Sequence, residues 1–143
     1  MAQSLVKIWV HVSFATKKRA PLINRKWERD LYNHMTVKLT EQKCKVRIVN
    51  GMPDHVHLLF MLPSTKCIAD VMSYVKGESS RWSNVNYFET QNENFEWQDG
   101  YGAFSISEKN VKKVQSYIYN QKAIHQNRTF KEEWDLLKKD YSD

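Results

Sequence analysis

The chain has 143 residues, 41% of them hydrophobic and 27% charged, which suits one soluble domain spanning 1–143 with a proper core. No apolar run nears the ~20 residues a bilayer span requires, and the N-terminus lacks a basic segment leading into an apolar one, so neither a membrane span nor a secretory signal is expected. The formal charge of +6, with a pI of about 9.3, favours a polyanionic partner, most often nucleic acid.

Cys44 and Cys67 stand alone, without metal or redox spacing, so a reduced, cytoplasmic protein is the expectation. Residues 7–16 alternate and are rich in β-formers, which predicts a first strand. Lys17, Lys18 and Arg19 follow at its end, a basic triplet placed either as a solvated turn or to hold phosphates. Asn24 is positioned to cap a helix running to about residue 40, with Trp27, Leu31, His34, Met35, Val37 and Leu39 at helical spacings. Residues 44–50 read as a second strand, and the turn at 50–53 makes a hairpin with the next one.

That third strand, residues 54–61, contains Asp-His-Val-His-Leu-Leu-Phe-Met and is closed by Pro63. Side chains on a strand alternate, so His55 and His57 share one side while Val56, Leu58 and Phe60 take the other and form core. Two neighbouring imidazoles suit a divalent metal, but a His-x-His pair on a strand fits plain hydrogen-bonded histidines equally and needs a further ligand. Asp54 reads either as an acceptor orienting one of them or as a turn residue.

Residues 68–84 form a second helix with Ile68, Val71, Met72 and Val75 as its apolar stripe. Gly77 inside it costs about 1 kcal/mol relative to Ala, which predicts a close packing or ligand reason. Residues 84–100 are polar and Asn-rich, longer than an ordinary connection, and predict a functional or mobile loop. A short fourth strand follows at 101–106. Ser107 is expected to cap a third helix over 108–126. Thr129 and Glu132 form a capping box that opens a last helix with Trp134, Leu137 and Tyr141 on its apolar side.

The order β-α-β-β-α-β plus two helices predicts an α+β, ferredoxin-like antiparallel sheet with helices on one face and the histidine strand in the middle. On the third helix Val111, Val114 and Ile118 face the core, while Tyr117 and Gln121 lie one turn apart on another side. A phenol near a metal is a competent nucleophile toward phosphorus, and an amide oxygen is a neutral ligand; without the histidines both are common surface residues.

On these residues the chain resembles the single-tyrosine HUH endonuclease transposases, the insertion-sequence type together with the related REP-associated tyrosine transposases. The segment from Asp54 to Leu59 is similar to the His-hydrophobic-His signature, and Tyr117-Ile118-Tyr119-Asn120-Gln121 to the tyrosine helix. Residues 11–17, 76–80, 97–101 and 129–133 extend the likeness over nearly the whole chain, in order. The resemblance implies a metal site of His55, His57 and Gln121 holding Mg²⁺ or Mn²⁺, with Tyr117 as nucleophile. Tyr117 would cut hairpin-bearing single-stranded DNA, leaving a 5′-phosphotyrosine and a free 3′-OH, and a 3′-OH would later rejoin the strands. It further implies a homodimer and no nucleotide cofactor, since the covalent bond keeps the energy of the phosphodiester. Family members often carry adjacent histidines shortly after the glutamine, where this chain has Ile124-His125.

Lys17, Lys18, Arg19, Lys76 and Arg81 are the candidate DNA contacts. Tyr119, two residues from Tyr117, points to nearly the opposite side of its helix. Two other readings stand beside the transposase. One is a domesticated relative that processes chromosomal repeat hairpins; the other is a non-catalytic ferredoxin-like module that stacks single strands on aromatic residues of an open sheet face.

Overall fold

A computed structural model describes residues 4–88, 93–124 and 129–141 of the chain. Four antiparallel strands, β1 (Ile8–Ala15), β2 (Lys45–Met52), β3 (His55–Leu62) and β4 (Gly102–Ile106), form one sheet in the order β2-β3-β1-β4. This is the α+β, ferredoxin-like arrangement with β3 interior. The β2–β3 turn is tighter than expected: Asn50 and Gly51 belong to β2, and only Pro53 and Asp54 turn the chain. A Cβ at Gly51 would collide with the His55 carbonyl, so the hairpin closes only over glycine.

Register decides what each face holds. Val10, Val12 and Phe14 of β1 pair with Phe60, Leu58 and Val56 of β3. These six point to α1 (Glu28–Glu41) and α2 (Ile68–Ser83), and with Leu31, Met35, Leu39, Val71, Met72 and Val75 they make the main core. Asn24 Oδ1 accepts from the Lys26 N–H at 2.9 Å, closing a turn ahead of α1. The expectation for Val37 fails; it is 55% exposed, because positions 31, 35 and 39 already fill the buried stripe.

The other face is not open. The expected single helix over 108–126 is instead a 3-10 turn (Glu108–Asn110), α3 (Val111–Tyr119) and a one-turn α4 (Gln121–Ile124), interrupted at Asn120. Residues 125 and 126, His125 among them, lie outside the described residues. Ser107 makes no capping hydrogen bond from its side chain. The break is satisfied by Asn50, whose Nδ2 donates to the carbonyls of Ile118 (3.0 Å) and Tyr119 (3.2 Å). Val111 and Ile118 pack on Trp9, Leu59 and Ile106 in a second, smaller core. Helices therefore cover both faces of the sheet, where one was expected.

Residues 84–88 and 93–100 are anchored at a few points. A π-helical turn (Asn84–Phe88) continues α2, and Asn84 then exchanges hydrogen bonds with both backbone groups of Phe95, at 2.7 and 3.0 Å. Trp97 is buried against Phe14 and Phe95 against Trp97, and Trp97 Nε1 donates to Ser79 Oγ at 2.9 Å. Aromatic burial thus pins a segment that is otherwise irregular and partly exposed, and positions 89–92 lie outside the described residues. The last helix, α5 (Phe130–Tyr141), opens on the predicted box: the Glu132 N–H donates to Thr129 Oγ1 (3.2 Å) and the Thr129 N–H to Glu132 Oε1 (3.4 Å). The side chain of Tyr141 lies outside the described residues. Among the described residues no helix is long and apolar enough to cross a membrane.

Two glycines mark opposite constraints. A Cβ at Gly77 would meet nothing within 4 Å, so no close packing explains this glycine. Gly77→Ala is expected to raise stability by about 0.5–1 kcal/mol, read by urea unfolding. A Cβ at Gly102 would sit 2.5 Å from the Trp134 indole, so α5 lies on β4 through this missing side chain. Gly102→Ala should cost about 1–3 kcal/mol and speed amide exchange selectively in α5.

Candidate active site

Below α5 the sheet is hollow. In the register, His57 lies opposite Ser13 and His55 opposite Ala15, while Ser13 faces Gly102 on its other side. Three small residues thus surround two imidazoles, and the space above them admits side chains from the helices. Trp134 covers Gly102, which carries the preceding residue, Glu133, down onto the histidines with only 1% of its surface exposed.

Glu133 is the centre of the cluster. Its Oε2 lies 3.2 Å from His55 Nε2 and its Oε1 3.0 Å from His57 Nε2. Gln121 Nε2 donates to Oε1 at 2.9 Å, and the Tyr117 hydroxyl donates to the same oxygen. Gln121 Oε1 lies 3.2 Å from His55 Nε2. The far side of each imidazole is held as well: His55 Nδ1 meets Asp54 Oδ1 at 2.7 Å, and His57 Nδ1 meets His11 Nε2 at 2.9 Å. Asp54 therefore serves both as turn residue and as the group that orients His55.

Burial and charge shape the protonation of these rings. Burial alone would lower His55, but the Asp54 and Glu133 carboxylates outweigh it and hold the imidazole above its ordinary value. His11 is pushed down to about 3, by burial first and by the neighbouring His57 second, against a small opposing pull from Glu133. A buried carboxylate needs a compensating cation. Here that cation is either a proton on His55 or a metal ion.

His55, His57 and Glu133 offer ligand atoms that all lie within 4.8 Å of one another. Two imidazole nitrogens and a carboxylate oxygen form a donor set that suits a borderline divalent cation, and the Gln121 amide oxygen faces the same side. The donors fit the metal that the sequence suggests.

Each residue singled out from the sequence can now be located. His55, His57, Gln121 and Tyr117 converge within one chain, with the Tyr117 and His57 ring centres 5.8 Å apart. Tyr119 is 72% exposed on the opposite side of α3. Glu133 and His11 were not foreseen as site residues. Glu133 stands four positions before buried Leu137, so a charged residue on the apolar stripe of α5 was its available signal. His11 had a weaker one, since its strand parity gives it the face of Ser13 but not its neighbours.

The model of the family described as IS200-like transposases matches residues 4–121. The chain belongs to the IS200-like transposase family. The insertion sequence IS200 transposases of Salmonella typhimurium and Salmonella typhi are each 32% identical to it over 117 residues, covering 78% of this chain and 74% of theirs. A Deinococcus radiodurans R1 protein assigned as a transposase superposes with a TM-score of 0.68 at 25% identity, covering 85% of this chain and 95% of that one. A REP-associated tyrosine transposase bound to a REP hairpin superposes with a TM-score of 0.64 at 14% identity, covering 87% and 73%, and is alike in fold. Family membership makes the chain a DNA-cleaving, strand-transferring enzyme, and the family implies a divalent metal.

The basic candidates of this IS200-like transposase are placed unequally. Lys18 and Arg19 are exposed in left-handed backbone and, with Lys131 and Trp134, line a cleft of about 460 Å³. Ala15, the cross-strand neighbour of His55, lines it too, so the cleft adjoins the cluster. Lys17 pairs with Glu96 at 2.9 Å, and Arg81 with Glu78. Lys76 donates to the carbonyls of Gln98 and Gly100, both at 2.8 Å, which ties down the segment before β4. Burial lowers its ammonium below the usual lysine value. A second cleft, of about 540 Å³, opens on Tyr117 between Ser105, Asn110 and Lys113.

The raised His55 fixes the direction of a pH effect. Proton and cation compete for Nε2, so Mn²⁺ binding is expected to weaken as pH falls through a value above the ordinary imidazole range. Glu133→Gln removes a carboxylate that raises it, and should move this loss to lower pH while weakening binding at every pH, since a charged donor is replaced by a neutral one. Manganese paramagnetic resonance titrations at several pH values read both effects.

Proposed function

We propose that this transposase cuts and rejoins hairpin-bearing single-stranded DNA through a covalent bond to Tyr117, with Mg²⁺ or Mn²⁺ held by His55, His57 and Glu133 and faced by the Gln121 amide. One observation carries the reading: the Tyr117 hydroxyl donates to the carboxylate that also faces both histidine Nε2 atoms. A phenol is a poor nucleophile while protonated, and Glu133 is its nearest proton acceptor. When bound, the cation would neutralise charge on the scissile phosphate and polarise it toward attack.

The remaining steps belong to the chain. As the Tyr117 Oη–phosphorus bond forms, the bond from phosphorus to the 3′ oxygen breaks, and the phenol proton passes to Glu133. The departing 3′ oxygen takes a proton from water and becomes a free 3′-OH. The 5′ phosphate is left on Tyr117, so the phosphodiester energy is kept and no nucleotide cofactor enters. Attack of a 3′-OH on this phosphotyrosine restores the DNA bond and returns the phenol. Asp54 and Gln121 hold His55 and Glu133 in place meanwhile.

The two clefts support a strand path, one opening on Tyr117 and the other lined by Lys18, Arg19 and Lys131, on either side of the cluster. Phosphates passing there would meet cations at both ends. The hairpin substrate follows the resemblance and the REP hairpin bound by the structural neighbour. The homodimer is part of the same proposal, with the tyrosine acting within its own chain. A sheet face covered by helices and lined by histidines also speaks against the base-stacking module.

Incubation with hairpin-containing single-stranded DNA and Mn²⁺, followed by denaturing electrophoresis, tests the reading. Wild type and Tyr119→Phe are expected to give a covalent adduct, and Tyr117→Phe none. An adduct that persists in Tyr117→Phe and disappears in Tyr119→Phe would overturn the assignment.

A further inference from the structure

His11 takes no part in the chemistry above, yet it is fully buried in the centre of the sheet, in contact with His57. It sits on β1 opposite Leu59, one pleat along from Ser13, so it reaches His57 diagonally across the β1–β3 pair. The contact joins His11 Nε2 to His57 Nδ1 at 2.9 Å, the edge of the ring turned away from Glu133. The other nitrogen of His11, Nδ1, is buried with no hydrogen-bond partner among the described residues. Such an atom is rare and destabilising, and a phenylalanine of similar size would avoid it. A histidine here needs a compensating role.

We propose that His11 is a positioning residue that fixes the tautomer and ring orientation of His57 for metal binding. The inference rests on the reading that His55, His57 and Glu133 hold a divalent cation. A neutral imidazole carries one N–H, and a ring that offers Nε2 as ligand must keep its hydrogen on Nδ1. His11 Nε2 is placed to accept that hydrogen, as Asp54 does for His55. The two ligand histidines are thus held from behind by different means, one by a carboxylate from the turn and one by a neutral ring from the neighbouring strand. The neutral partner orients His57 without adding a charge beneath the sheet.

The test measures Mn²⁺ affinity by calorimetry and paramagnetic resonance in the whole protein, without DNA. His11→Phe should weaken binding about 10–100-fold while unfolding and circular dichroism stay close to wild type. His11→Gln, whose amide oxygen can accept the same hydrogen, should restore affinity to within about threefold of wild type. Wild-type affinity in a folded His11→Phe, or equal losses in the two variants, overturns the proposal. Should the phenylalanine variant not fold, nitrogen-15 spectra of the wild type with Mg²⁺ decide. A slowly exchanging His57 Nδ1–H coupled to His11 Nε2 supports the role, and a hydrogen on His57 Nε2 removes it. His57→Ala serves as control. If it binds Mn²⁺ like wild type, the histidine metal site itself fails and this inference with it; if only that variant loses binding, the role of His11 alone fails.

Discussion

Glu133 brings a negative charge into a space walled by two imidazoles, a phenol and an amide, almost closed to water. A carboxylate in such surroundings is tolerable only when donors or cations surround it. The requirement ties together parts of the chain distant in sequence. The β3 histidines, Tyr117 at the end of α3, Gln121 at the start of α4 and the first turn of α5 must all be docked before the charge is satisfied. The sheet supplies the two imidazoles, and the helices supply the phenol, the amide and the carboxylate.

The sheet also makes the room. Ser13, Ala15 and Gly102 would be unremarkable in a strand list, yet their register next to His57 and His55 leaves the hollow that Glu133 and Trp134 enter. Asn50, the cross-strand neighbour of His57, secures the carbonyls freed where α3 stops. On one side of β3 lies a conventional apolar core, and on the other a polar cluster ringed by a small apolar one. One strand therefore serves the apolar core and the polar cluster at once, through the alternation of its side chains.

Much of this was legible from periodicity. The strand alternation around His55 and His57, the apolar stripes of α1 and α2, and the Thr129–Glu132 box all led to the observed elements, and hence to the ferredoxin-like order. Local rules failed where tertiary contacts took over. The stretch after α2 reads as loop by composition, and its described part is largely irregular, but composition does not show that Phe95 and Trp97 anchor it in the core. The tyrosine helix reads as continuous, but Asn50 compensates an interruption that no local pattern encodes. Spacing paired His55 with His57 and Tyr117 with Gln121, and only the resemblance to a family joined the two pairs into one candidate site. Glu133 and His11 reach it only through register and docking, and neither quantity exists in a linear chain.

The residues matched by the family model end at 121, whereas the carboxylate at the middle of the cluster arrives from position 133. The helix that carries it lies across the sheet with one indole resting on one bare backbone position as its seat. A change at that seat would therefore shift the carboxylate while the strands that carry the histidines stay as they are.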